Sequence, residues 1–345
     1  MGTSCIEVKR IIVCIIKILL NMADDIEEIK FHIVKNSDKS NGVENWVEKA
    51  DFSTFRGDII VCCGGYEGRF ELDAVEAFCV NTNTWADLPP MPVECDSLAA
   101  GAYGSAVFVA GGSDRKKPLD NASMFDWQER AWRKLAPMVT ARAYSCGTMD
   151  KSRARLLVAG GFNNRELDSV EIFDVKTERW LKASAMPTAR TKSGGAIVGD
   201  YFAVVGGDEF GRPTDTIQCF NLKAEKWETF PAMSTKRRRC AVVAVGEKLV
   251  VAGGLTLGDY SLDTIEMFDL RNRKWFDLPN MPCTRFGCGA CVINSQMFLC
   301  GGNEKLRMKA YSNRLDSFDL MTHTWEILPS MAHRRIHPVT ASVCV

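Results

Sequence analysis

The sequence predicts an all-β protein, a ring of six small four-stranded sheets, and three spacings carry that prediction. Gly pairs recur at Gly64-Gly65, Gly111-Gly112, Gly160-Gly161, Gly206-Gly207, Gly253-Gly254 and Gly301-Gly302, 46 to 49 residues apart. A Phe stands seven residues before a Trp in each unit: Phe78/Trp85, Phe125/Trp132, Phe173/Trp180, Phe220/Trp227, Phe268/Trp275 and Phe318/Trp325. A Met follows each Trp by six: Met91, Met138, Met186, Met233, Met281 and Met331. A period in the forties fits a propeller blade, whereas a Gly-Gly in every unit would weaken the helix pairs of an α-solenoid.

The third unit shows the pattern most plainly. Its β-prone runs cover residues 143–148, 155–159, 168–174 and 179–183, with Gly, Asn, Asp and Pro gathered between them. The first unit starts at Asp58 on what is the second strand elsewhere, while residues 336–345 (IHPVTASVCV) continue past the last Met as a first strand. Pairing these two ends completes the first blade and removes two open sheet edges. The predicted organisation is therefore an extension and linker over residues 1–57 and a six-bladed propeller over 58–345.

Residues 1–57 lie outside the repeat. The run Ile11 to Leu20 is too short to span a bilayer and contains Lys17, and no small-residue cleavage site precedes Met22. The opening residues lack the Ser or Thr at position 6 that myristoylation needs. Met22 serves equally well as a start. The charged stretch from Asp24 to Lys49, with isolated Ile26, Ile29 and Ile33, reads as a short helix followed by a linker.

Lys plus Arg and Asp plus Glu both total 43, so no overall field recruits nucleic acid or an anionic membrane. Fourteen cysteines scatter through the strand runs without a framework spacing, which points to buried free thiols in a reducing, cytoplasmic setting. Cys283, Cys288 and Cys291 form the most metal-like group but lack a fourth ligand, and strand positions three apart face opposite ways. No metal and no cofactor is expected.

The apolar run with Gly-Gly, the aromatic and the Trp resemble kelch repeats over residues 58–345. The segment Trp275-Phe-Asp-Leu-Pro-Asn-Met281 looks most like the kelch domains of BTB-kelch adaptors. Phe stands where Tyr is common, and either ring fills the space between sheets. Residues 1–57 are too few for a BTB domain. The resemblance implies a non-enzymatic module that captures a partner peptide on one rim, as substrate receptor for a ubiquitin ligase; an alternative is an actin or cytoskeletal scaffold.

Strands running up, down, up, down bring two loop sets to one face: those after each Gly-Gly and those after each Trp and Met. Gly-Gly to Phe varies from 13 to 17 residues while Phe to Trp and Trp to Met never vary, so variation is concentrated in loops on a rigid frame. Four residues after the Met stand Arg142, Arg190, Arg237, Arg285 and Arg335, with Cys95 in the first unit. Two roles are open to these arginines. They suit bidentate capture of a partner's carboxylates, and they equally suit bonding of loop carbonyls and neighbouring acids around the channel. Tyr144, Lys192, Arg239, Tyr66, Asn163 and Asp208 complete the candidate partner-binding set. The repeat Phe, Trp and Met read as core, and the Gly pairs lack the Lys-Ser/Thr of a phosphate loop.

The enzymatic alternatives fare less well. Only His32, His323, His333 and His337 are available for a galactose-oxidase-like copper site, and Leu315 occupies the Glu position of a specifier-type iron motif ending at His323. A sialate-epimerase-like enzyme would suit an Arg-lined pocket, yet no His–carboxylate or Ser–His constellation is visible in the sequence, and the thiol load argues against export. The chain is expected not to be an enzyme.

Overall fold

The computed structural model describes residues 31–35, 46–304 and 310–345. Six four-stranded antiparallel sheets surround a central channel. In blade 3 the strands run outward as Cys146–Asp150, Arg155–Ala159, Val170–Asp174 and Arg179–Ala183. The innermost strand starts at Cys146, later than its apolar pattern suggested, because Tyr144 at φ 54° leaves the extended region. Blade 1 closes as expected: Val339–Cys344 pairs antiparallel with Asp58–Cys63, Asp58 opposite Cys344 and Cys63 opposite Val339. One blade thus holds both the first and last propeller strands, leaving no free inner edge.

Burial follows strand position. After their first residue, second strands are apolar and closed to solvent, as in Ile59, Ile60, Val61 and Cys62. Inner strands crowd the axis and carry small residues; a Cβ at Gly147 would stand 2.5 Å from the Ala99 Cβ. Outer strands are mostly exposed, as in Ala131–Lys134.

Each sequence marker has a mechanical cause. Phe and Trp of a unit face each other across the third and fourth strands, as in Phe173 opposite Trp180, with centroids 5.2 Å apart. The indole N–H of Trp180 donates to Ala136 O of the preceding blade's loop at 2.8 Å, and Trp85 reaches Pro329 O across the closure at 2.7 Å. The first Gly of each pair is a seat: a Cβ at Gly160, whose φ is 64°, would lie 2.5 Å from Arg190 O and 3.0 Å from the Met186 methyl. The second Gly then donates its N–H to that same carbonyl, Gly161 to Arg190 O at 2.9 Å. Gly-Gly, Met and the residue four beyond it are one joint between blades.

Residues 31–35 and 46–50 pair as a β-hairpin whose second strand runs beside the outer strand of blade 1, Thr84–Leu88. A 3₁₀ turn at Phe52–Thr54 follows, and Phe52 packs edge-on against Trp127. The helix expected between Asp24 and Lys49 gives way to strand wherever that segment is described. The expectations for Ile11 to Leu20 and for Met22 lie outside the described residues. Among the described residues no helix is long and apolar enough to cross a membrane.

Candidate functional site

The two loop sets do converge on one face. Bridges between them recur around the ring, as Tyr66 with Ile336, Ala143 with Phe162, and Thr191 with Asp208. The five repeat arginines, however, are not on that rim. Arg142, Arg190, Arg237 and Arg335 have no solvent exposure and Arg285 has 2%. Their carbonyl oxygens accept from the second Gly of one blade while their guanidiniums reach into the next. Arg142 donates to Gly160 O (2.8 Å), Ser169 O (2.9 Å) and Glu171 Oε1 (2.6 Å), and Glu171 in turn accepts from the backbone N–H groups of Val139 and Thr140. Arg237 with Glu266 (2.5 Å) and Arg335 with Glu76 (2.5 Å) repeat the arrangement, and Arg285 pairs with Asp316. Their guanidiniums are held by the next blade and closed to solvent, so they present no donor at the surface, and of the two roles open to them the structure favours the internal one.

The departures from this scheme are matched. Blade 2 receives Cys95 in place of an arginine, and its third strand offers Ser123 where blades 1, 3, 5 and 6 offer Glu or Asp. In blade 4 the neutral Gln218 stands at that position, and Arg190 bonds Thr216 instead, with Glu209 3.7 Å away. Burial lowers the pKa of both Arg142 and Arg190, opposed by Glu171 in the first case and Glu209 in the second.

Two residues beyond each arginine position lies a second ring. Ser97, Tyr144, Lys192, Arg239, Gly287 and His337 all have positive φ, between 52° and 62°. Each N–H donates to the carbonyl of the residue before it around the ring: Tyr144 to Ser97, Lys192 to Tyr144, Arg239 to Lys192, Gly287 to Arg239, His337 to Gly287, and Ser97 back to His337, at 2.7–3.3 Å. This closed circle of backbone bonds forms the throat of the channel. Left-handed backbone at these six positions is what turns each chain from loop to inner strand.

Above the throat is a cavity of about 720 Å³, lined by Tyr66, Arg69, Glu71, Tyr144, Arg239, His337 and their neighbours. Arg239 lies over the Tyr144 ring, 5.7 Å from its centroid, and among the described residues it has no ion pair and a buried Nε without a partner. Burial lowers its pKa, and burial followed by the Asp96 carboxylate raises that of Tyr144. Lys192 pairs with Asp208 at 2.7 Å, and Asp208 also takes Arg238 at 3.0 Å. Tyr66 stacks edge-on against Tyr311 at 5.9 Å. Of the predicted set, Tyr66, Tyr144 and Arg239 come together in the cavity, Lys192 borders the throat with Asp208 paired to it, and Asn163 stands apart on the blade 3 hairpin. Lys305 of the blade 6 loop falls outside the described residues.

One contact was missed in the sequence. His337 Nδ1 lies 3.4 Å from Asp96 Oδ2, a His–carboxylate pair joined by ring closure across 241 residues. Burial, then Arg239, keeps its pKa below the ordinary value against the pull of Asp96. The edge bearing Nε2 is buried and leans on Gly287, where an added Cβ would be 3.0 Å from that nitrogen. Nδ1 is thus taken up by Asp96, and Nε2 is closed to solvent without a hydrogen-bond partner among the described residues. Among the described residues no group of three or more His, Cys, Asp or Glu is arranged to hold a metal, and nine of the twelve described thiols are buried.

Comparison with known proteins agrees with this architecture. The family profile described as the KLHDC2/KLHL20/DRC7 Kelch-repeats domain matches residues 48–207, 97–302 and 194–345. Human "Kelch-like protein 4" is 28% identical over 74 residues, 21% of this chain and 10% of that relative, so the match spans about a tenth of the relative's length.

Proposed function

The chain belongs to the kelch-repeat family, and from that premise we propose that it is a protein-interaction module holding a segment of a partner in the cavity above the throat. The observation that carries this reading is Arg239, a cation without an ion pair, stacked on Tyr144 in a cavity bordered by both loop sets. A guanidinium half-withdrawn from water and backed by an aromatic ring gains most from an incoming carboxylate or carbonyl. Acidic or polar partner segments therefore remain the preferred ligands, gripped by Arg239, Lys192 and the tyrosines rather than by the repeat arginines. The finer assignment, suggested by the resemblance to the kelch domains of BTB-kelch adaptors, is substrate receptor of a cytoplasmic ubiquitin ligase. No catalytic role is assigned, since the free nitrogen of His337 is closed to solvent and has no acid or base partner among the described residues.

Affinity purification with wild type and an Arg239→Glu/Tyr144→Ala variant, followed by mass spectrometry, tests the reading. Partners retained by wild type and lost by the variant, at unchanged melting temperature, support it; the same partners on both would sink it. Ligase subunits among those partners select the receptor role. Co-sedimentation with actin filaments selects the scaffold instead.

A further inference from the structure

At the end of the channel away from the rim, the hairpin joining inner and second strands takes two residues in blades 2, 4, 5 and 6: Gly104-Ser105, Gly199-Asp200, Gly246-Glu247 and Asn294-Ser295. Blade 3 takes four, Lys151 to Ala154. The longer turn is built around one buried carboxylate. Asp150 accepts on Oδ1 from Ser152 N (3.0 Å), Ser152 Oγ (2.6 Å) and Arg153 N (3.2 Å), and on Oδ2 from Arg153 Nη1 at 2.8 Å. The sister blades turn without such an acid, so closing the sheet does not require it. A buried carboxylate this fully bonded fixes the turn in one shape.

What the turn places is Lys151. A cavity of about 480 Å³ occupies the lower channel, bounded by the inner strands of all six blades. The charged residues of its lining are Asp150, Lys151, Arg153 and Asp200. Asp150 and Arg153 neutralise each other, and Asp200 pairs with Lys223 at 2.8 Å. Lys151 has no ion pair among the described residues, so the lining is left with one unbalanced positive charge. That charge leans over the axis: burial pushes the Cys291 thiol of blade 6, across the ring, up to about 12, and Lys151 opposes the push.

The wall suits a small polar body. Gly and Ala recur along it, at Gly101, Gly147, Gly195 and Ala290, and leave room at the axis. In an antiparallel ladder alternate residues of the last strand turn N–H and C=O away from their partner, which here means toward the axis. Such groups need partners, and a volume of this size holds a small organic molecule as well as water.

We propose that the lower channel is a binding site for a small monocarboxylate, which enters from the face opposite the rim. Its carboxylate meets Lys151, and its hydroxyl or amide groups meet the inner-strand backbone. A single unpaired ammonium matches a single negative charge; a phosphate dianion or a dicarboxylate would carry uncompensated charge into a partly enclosed site. Nothing in this site rests on partner capture at the rim, from which the circle of throat bonds separates it.

The test is ligand-observed NMR on the purified full chain with lactate, gluconate, pantothenate and N-acetylglycine, each beside its neutral amide, and with inorganic phosphate and citrate. At least one monocarboxylate should bind with a millimolar or lower Kd, while its amide and the multiply charged anions do not. Lys151→Met removes one charge-assisted contact from an exposed residue; it should weaken that ligand about tenfold or more at an unchanged melting temperature. Lys151→Arg should keep the ligand, and Arg239→Ala should leave its affinity unchanged. Binding by none of these acids, binding that survives Lys151→Met, or phosphate and citrate held as tightly as the monocarboxylate each overturns the proposal. Binding lost with Arg239→Ala overturns it too, by placing the carboxylate in the rim cavity, and leaves the partner-binding reading intact.

Discussion

Arg237 and Arg239 stand two residues apart in one basic run and do opposite work. Arg237 has no exposed surface; it spans Gly253 O, Thr264 O and Glu266 and fastens blade 5 to its entry loop. Arg239, itself in left-handed backbone, turns into the throat, where among the described residues it lies over a tyrosine face without an ion pair. The difference teaches that a repeated charge and an unrepeated one have different uses. Five arginines in fixed register answer a need that recurs around the ring, whereas the throat positions Ser97, Tyr144, Lys192, Arg239, Gly287 and His337 differ from unit to unit, as the proposed recognition role requires.

Blade 2 extends the comparison within the same chain. Where Cys95 replaces the arginine, Ser123 replaces the acid, so neither charge is left alone. A buried carboxylate without its cation is costly, whereas a neutral pair is tolerated.

The comparison can be broken in order of expected effect. Deleting residues 336–345 removes the inner strand of blade 1 and should abolish the cooperative thermal transition; a melt like that of wild type would refute closure by the tail. Arg237→Met should cost about 3–5 kcal/mol by stranding Glu266, read by chemical denaturation. The double variant Arg237→Cys/Glu266→Ser, which copies blade 2, should cost clearly less than the single one, and equal losses would mean that the ion pair is not the reason for the arginine. Arg239→Ala should change stability by no more than about 1 kcal/mol, since no ion pair is lost, yet weaken partner capture; a loss as large as that of Arg237→Met would erase the distinction between the two rings.

The smallest effect concerns pH. The folded state holds His337 neutral, with its pKa below the ordinary value of about 6.5. Its contribution is therefore whole above that value and is lost as pH falls through the lowered folded pKa. His337→Asn, compatible with φ 54°, should give a shallower loss of stability on acidification, and a slope identical to wild type would place the proton uptake elsewhere.

Blade number, strand identity and the closing tail were legible in the sequence because each rests on a spacing that local backbone geometry enforces. Gly-Gly needs its positive φ, and Phe and Trp need opposite positions on adjacent strands. The face carrying the variable loops was legible too, since alternating strand direction fixes it. What each arginine does was not. A charged residue in a loop reads as exposed until its partner is known, and Glu171 lies 29 residues beyond Arg142 while Glu76 lies 259 before Arg335. The pairing of Asp96 with His337, the ring of throat bonds and the placing of Lys151 over the lower channel likewise exist only once the circle is closed. Sequence determined the repeat, because repetition is local; the tertiary structure alone decided which cations are sealed within it and which stay accessible at the throat, because burial depends on what the next blade brings.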